Sequence, residues 1–275
     1  MKTTMAALSL ALMVLGTISC SPFMSYQTDS LLPGHKIVID GKTDDWVGSL
    51  YVAPGQTVSI GFLNDQEDLY VCMIAEDRAT RAQIMTQGLT IWFDPQGGTQ
   101  KIFGIKYPLG TPQGELPKPP DPLKEGETPE DYRSVDLTRL EILGGEKAKP
   151  QLMEASNVKG IEIKVVPSSG LLVYELRIPL LRTEEYPFAV GINPGKVVGV
   201  GLESPEIDLN KLKKKETEQK PEGGKKPENE GGYGQGRRGA PGMRSGIPRG
   251  LKIWANVQLA SAPGVSAPGG VSFER

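Results

Sequence analysis

Apolar and polar residues alternate with a period of two through most of the ordered-looking parts of this chain, and that pattern predicts strands. Across residues 57–63, Val58, Ile60 and Phe62 alternate with Thr57, Ser59 and Gly61. The polar run Asn64-Asp65-Gln66-Glu67-Asp68 then turns the chain into residues 69–75, which are apolar on both faces. This predicts a hairpin whose second strand sits in the middle of a sheet. One helix is predicted over residues 78–87, capped by Asp77 and ended by Gly88. Further strands are predicted at 89–94 and 101–107, around the turn Pro95-Gln96-Gly97-Gly98. Two more, 160–166 and 171–178, flank Pro167-Ser168-Ser169-Gly170 as a second hairpin, and 197–203 and 251–259 complete the set. About nine short strands, one short helix and many turns describe an all-β protein, an antiparallel β-sandwich.

Composition accounts for what lies between the strands. The 34 glycines and 23 prolines are unevenly spread, and two stretches hold most of the excess. One is the Pro/Gly/acidic loop 108–131, and the other is residues 205–248, which are almost free of large apolar side chains. Neither can bury enough apolar surface to offset the entropy of ordering, so the second is expected to be a long disordered insert. That insert is locally basic, with 11 Lys/Arg between Lys211 and Arg249 against five acidic residues between Glu216 and Glu230. It separates the last two strands by about 47 residues, yet they can still be neighbours, because loop-closure entropy grows only logarithmically. The insert reads either as a solvated linker or as a weak contact to anionic envelope polymers.

The amino end has its own pattern. Lys2, the apolar run 5–15 and the small residues up to Cys20 form a secretory leader, too short to remain as a membrane-spanning helix. Gly16-Thr17-Ile18-Ser19-Cys20 resembles the lipobox of bacterial lipoproteins, with Thr17 where that family usually has leucine. The resemblance implies removal of residues 1–19, lipidation of Cys20, and a membrane as the first partner, with residues 20–35 as a tether. Ser21 after the cysteine implies outer-membrane sorting. The alternative is a plain secreted protein with a chance cysteine. With Cys20 lipidated, Cys72 is the only cysteine left and sits in a continuous apolar run, which predicts a buried, inert thiol.

Three segments together resemble the family 9 carbohydrate-binding modules and the wider DOMON-like sandwiches. They are Ile37-Val38-Ile39-Asp40-Gly41-Lys42-Thr43-Asp44-Asp45-Trp46, then Leu89-Thr90-Ile91-Trp92-Phe93-Asp94-Pro95, and Leu251-Lys252-Ile253-Trp254-Ala255-Asn256-Val257. The likeness spans residues 36–204 plus 249–260, with 261–275 left as a flexible tail. It implies a non-catalytic sandwich that binds glycan, and a structural calcium site involving Asp40 or Asp94; no other cofactor is expected.

Strand parity points to candidate ligand-binding residues without that likeness. Trp254 shares a face with Lys252, Asn256 and Gln258, and Trp92 shares one with Thr90 and Asp94. Both tryptophans thus fall on the polar side of their strands, where an aromatic platform for sugars would stand, with Asn256 beside it. The other reading of the same parity is a minor core packed around each indole. Trp46 reads as a packing residue that anchors the first loop.

Other chemistries find little support. His35 is the only histidine, so no Ser-His-Asp or Cys-His set and no zinc spacing is present. Asp44/Asp45 and Glu184/Glu185 are adjacent pairs, not facing glycosidase carboxylates. The formal charge of −2, which becomes −3 once Lys2 leaves with the leader, argues against nucleic acid as a partner. Two functions remain: an envelope lipoprotein binding glycan or another extracellular polymer, and a structural or assembly lipoprotein binding a protein and no sugar.

Overall fold

The computed structural model describes residues 25–111, 135–144, 148–168, 170–205 and 250–261. Twelve strands are present among the described residues. They are β1 (Tyr26–Asp29), β2 (Leu50–Val52), β3 (Val58–Asn64), β4 (Asp68–Ala75), β5 (Thr90–Asp94) and β6 (Phe103–Lys106). The others are β7 (Arg139–Leu143), β8 (Gln151–Glu154), β9 (Glu162–Ser168), β10 (Leu171–Pro179), β11 (Val197–Ser204) and β12 (Leu251–Gln258). One sheet has seven strands in the order β1-β12-β11-β5-β6-β7-β8, and the other has five in the order β2-β3-β4-β10-β9. All neighbours are antiparallel except β1 and β12, which run parallel. The fold is the antiparallel β-sandwich expected from the alternation.

Each sheet turns its apolar parity inward. Val58, Ile60, Phe62, Val71, Met73, Leu172, Tyr174 and Leu176 of the smaller sheet meet Ile91, Phe93, Ile105, Val200, Leu202, Ile253 and Ala255 of the larger one. Phe93 and Phe103 stack within this core, 6.0 Å between ring centroids. The β3–β4 hairpin forms as predicted. Asp65 Oδ1 accepts from the amides of Glu67 and Asp68, at 2.8 Å each, and so fixes the turn. β4 pairs with β3 and β10, and it is apolar on both faces because Leu69, Val71 and Met73 enter the main core while Tyr70, Cys72 and Ile74 meet a second apolar cluster. Helix α1 (Arg78–Gln87) starts where Asp77 accepts from the Thr80 amide and stops at Gly88, whose φ of 85° only glycine adopts freely.

The ends of the chain differ from expectation. Tyr26–Asp29, counted with the tether 20–35, is instead a strand, β1. Its register pairs Tyr26 with Ala255 and Asp29 with Gln258. The chain then crosses to the smaller sheet, where Leu31 bridges Leu63. Asn64 secures this crossing: its side chain accepts from Ser30 Oγ and from the Ala260 amide, and donates to the Ala260 carbonyl at 3.0 Å. β2, β7 and β8 were also not foreseen, so with β1 the eight strands located in the sequence become twelve among the described residues. β11 and β12 are direct neighbours, Ser204 opposite Leu251, despite the long connection between them. The leader, Cys20, the region 112–134, the body of the 205–248 insert and the tail after Ser261 lie outside the described residues.

Candidate functional site

Cross-strand pairing sets Trp254, Gly201, Trp92 and Gly104 in one row across β12, β11, β5 and β6. Residues paired this way share a face, and this is the outer face, since the alternate positions fill the main core. The two glycines make room for the two indoles. A Cβ on Gly201 would lie 2.5 Å from Trp254 Cε2, and one on Gly104 would lie 2.6 Å from Trp92 Cε3. Each indole therefore lies over the neighbouring strand where that strand has no side chain. Both are buried, Trp92 with 8% of its surface exposed and Trp254 with 2%.

Two charged groups link the indoles. Trp254 Nε1 donates to Glu203 Oε1 at 3.2 Å, and Lys101 Nζ lies 2.7 Å from Glu203 Oε2. The same ammonium sits 5.5 Å from the centroid of the Trp92 ring, a cation–π distance. Asn256, half-buried two residues along from Trp254, holds its Oδ1 out of solvent with no hydrogen-bond partner among the described residues. A buried acceptor left unpaired costs about 1–3 kcal/mol, which makes it an atom of interest in a binding face. The loop between β5 and β6 folds over this face, bringing the Gly98 carbonyl against Gly199, where a Cβ would leave no room.

Asp94 holds that loop. Its carboxylate accepts from the amides of Gln96 at 3.0 Å and Gln100 at 2.9 Å. Asp40, the other calcium candidate, stands over the smaller sheet and binds Lys42 through both its amide and its ammonium, the latter at 2.8 Å. The lysine contacts hold the Asp40 carboxyl below its usual range. The structure does not bring Asp40 and Asp94 together, and no group of three or more His, Cys, Asp or Glu is gathered for a metal among the described residues.

Over the smaller sheet, residues 37–46 form a strap whose second core comprises Ile37, Trp46, Leu63, Tyr70, Cys72, Ile74 and Val173. Glu175 is its one buried acid: Oε1 accepts from Trp46 Nε1 at 2.7 Å and Oε2 from the Gly41 amide at 2.5 Å. Gly41 has φ 84°, and a Cβ there would run into Val166. Trp46 is fully buried and packs toward Gly61, whose added Cβ would lie 3.2 Å from the indole. Burial raises the Glu175 carboxyl above its ordinary value even against these two donors. It also pushes the Cys72 thiol up, in keeping with an inert side chain. His35 is exposed and pairs with Asp45 at 2.9 Å.

No family model matches the chain, and no curated protein matches it. Four solved chains are similar to it, the following two among them. One is a carbohydrate binding module family 9 from Caldicellulosiruptor kristjanssonii in complex with glucose, 14% identical, with 68% of this chain and 81% of that chain covered and a TM-score of 0.32. The other is a carbohydrate binding module family 9 from the same organism in complex with cellotriose, 11% identical, with 89% of this chain and 98% of that chain covered and a TM-score of 0.36.

Sequence reasoning placed Trp92, Trp254 and Asn256 on the polar sides of their own strands but missed Lys101, Glu203 and Glu175. Glu203 was legible from parity, since it shares a face with Gly199 and Gly201 on its strand. Lys101 was not, because it reaches the face only through the fold of a loop. The glycines were also a signal: each of the three tryptophans is matched by a strand glycine that a side chain would obstruct.

Proposed function

We propose that this chain is an exported, lipid-anchored envelope protein whose sandwich binds glycan or another extracellular polymer and performs no catalysis. The observation that carries this reading is the outer face of the seven-stranded sheet. Two indoles lie in one cross-strand row, joined through Glu203 and Lys101, with the unpaired Asn256 acceptor beside them. Such a face combines apolar surface with a few directed polar groups, as saccharide sites do. Lys101 is the movable part. Its side chain keeps some contact with solvent beside Glu203. A ligand that displaces it offers hydroxyls to Glu203 and C–H groups to the ring in exchange.

Fluorescence titration of the full chain with soluble glycans tests this. Binding is expected to shift or quench tryptophan emission, with the change lost in Trp92→Ala. Unchanged emission across a broad panel, with the indoles also closed to acrylamide, contradicts it. A second reading, a structural lipoprotein with a protein partner, is favoured by the small exposure of both indoles. In that case a partner, not a sugar, would alter the emission.

A further inference from the structure

The two sides of the sandwich are treated differently. Each sheet ends in an edge strand on both sides: β1 and β2 on one, β8 and β9 on the other. Edge strands are ordinarily guarded against sticking by charge and proline. The β8/β9 side follows that practice, since residues 148–168 carry Lys149, Glu154, Lys159, Glu162 and Lys164, with Pro167 at the end. The β1/β2 side lacks the charges, although Pro33 and Pro54 follow its two strands. Residues 25–34 and 47–57, the same length of chain in total, carry only Asp29.

Apolar side chains stand in place of the missing charges. Eight large apolar residues are exposed among the described residues, and four belong to these two segments: Leu31 at 48%, Leu32 at 42%, Val47 at 87% and Val52 at 68%. The segments are physically joined. Tyr26 of β1 and Tyr51 of β2 are hydrogen bonded at 3.0 Å and packed edge-to-face. Beyond the end of β2, Leu31 takes over the pairing with β3. The charged residues Lys36, Asp40, Lys42, Asp44 and Asp45, with His35, belong to the strap and its approach, between the two segments in sequence.

What meets this side follows from where the chain leaves it. Only five residues, 21–25, separate Cys20 from Tyr26. Fully extended, that stretch spans about 20 Å, at roughly 3.3–3.6 Å per residue. We infer that the nearly charge-free β1/β2 side of the sandwich rests on the lipid surface into which the acylated Cys20 inserts, with Val47, Val52 and Leu31 entering the headgroup region. This rests on the lipid-anchor reading above. The short link keeps the edge at the bilayer, and an edge almost without charge pays little desolvation there. Tyrosines suit such a boundary, with an apolar ring and a polar tip. The tryptophan face and the charged β8/β9 edge remain free for other contacts.

Spin labelling tests the inference on the acylated full chain in phosphatidylcholine vesicles. Single labels are placed at Val47→Cys, Val52→Cys, Leu152→Cys and Leu181→Cys, Cys72 being buried and Cys20 blocked by lipid. The labels at 47 and 52 are expected to collide with oxygen and to be severalfold less open to a water-soluble nickel chelate than those at 152 and 181, and added salt should not change this. Equal chelate access at all four positions, with the acyl chains confirmed by mass, overturns the inference and spares the anchor. An amino-terminal peptide without acyl chains overturns both. Spin–spin broadening at 47 or 52, the mark of a second copy on this edge, also overturns it.

Discussion

At the scale of single residues, the strap depends on one buried carboxylate. Glu175 receives Trp46 Nε1 and the Gly41 amide inside an apolar layer, so removing a donor leaves charge poorly compensated. Trp46→Phe is expected to destabilise the fold by about 3 kcal/mol, read from denaturant unfolding. The pH dependence has a definite sign. The folded carboxyl holds its proton to higher pH than the unfolded one, because burial is the largest influence on it. Its contribution to stability is therefore present below the ordinary value of 4.5 and is lost as pH rises through the raised value. Compared with Glu175→Gln, the wild type should lose stability as pH climbs from 4.5 through the raised value. A constant difference across that range would show that the group is not perturbed as described. Tyr174 offers the opposite case: its hydroxyl is buried in the main core without a hydrogen-bond partner among the described residues. Tyr174→Phe should be neutral or stabilising by up to about 1 kcal/mol in thermal unfolding.

At the scale of elements, the recurring device is an indole laid over a strand glycine. Gly104→Ala and Gly201→Ala place a methyl where Trp92 and Trp254 lie, and each should cost about 1–3 kcal/mol and shift tryptophan emission. Unaltered emission in both would mean that the indoles are not seated on those strands. The longer elements were legible in the sequence because their patterns are local. β3, β4, α1, β10, β11 and β12 each carry an alternation, an unbroken apolar run or a cap that needs no partner to be recognised. β1 was not legible: Tyr26-Gln27-Thr28-Asp29 becomes a strand only because β12, more than 220 positions away, offers a parallel edge. β2 has three residues, and β7 and β8 are short edge-side strands next to glycine- and proline-rich chain. At the site, parity placed Trp92, Trp254 and Asn256 correctly on an outer face, but it could not say how deeply they lie. Trp92 is covered in part by Lys101 from the β5–β6 loop that Asp94 ties down, and loop paths are not written in a period of two.

At the scale of the whole molecule, the sandwich has three distinct surfaces. One sheet is sealed by the strap around Glu175. The other presents the tryptophan row. The sides differ in charge, with the apolar one nearest the proposed anchor. This division gives each surface a separate assay, since a fault in the strap is read as stability, in the apolar edge as membrane depth, and in the tryptophan row as binding. The most direct measurement is a glycan array probed with the full chain, its Trp92→Ala variant and its Leu152→Ala variant, the last altered on the remote β8 edge. The expected result is retention of one glycan class, weakened about tenfold or more by Trp92→Ala, equivalent to about 1.4 kcal/mol, and untouched by Leu152→Ala. No retention of any glycan, or retention that Trp92→Ala leaves unchanged, would contradict a saccharide site on the tryptophan face.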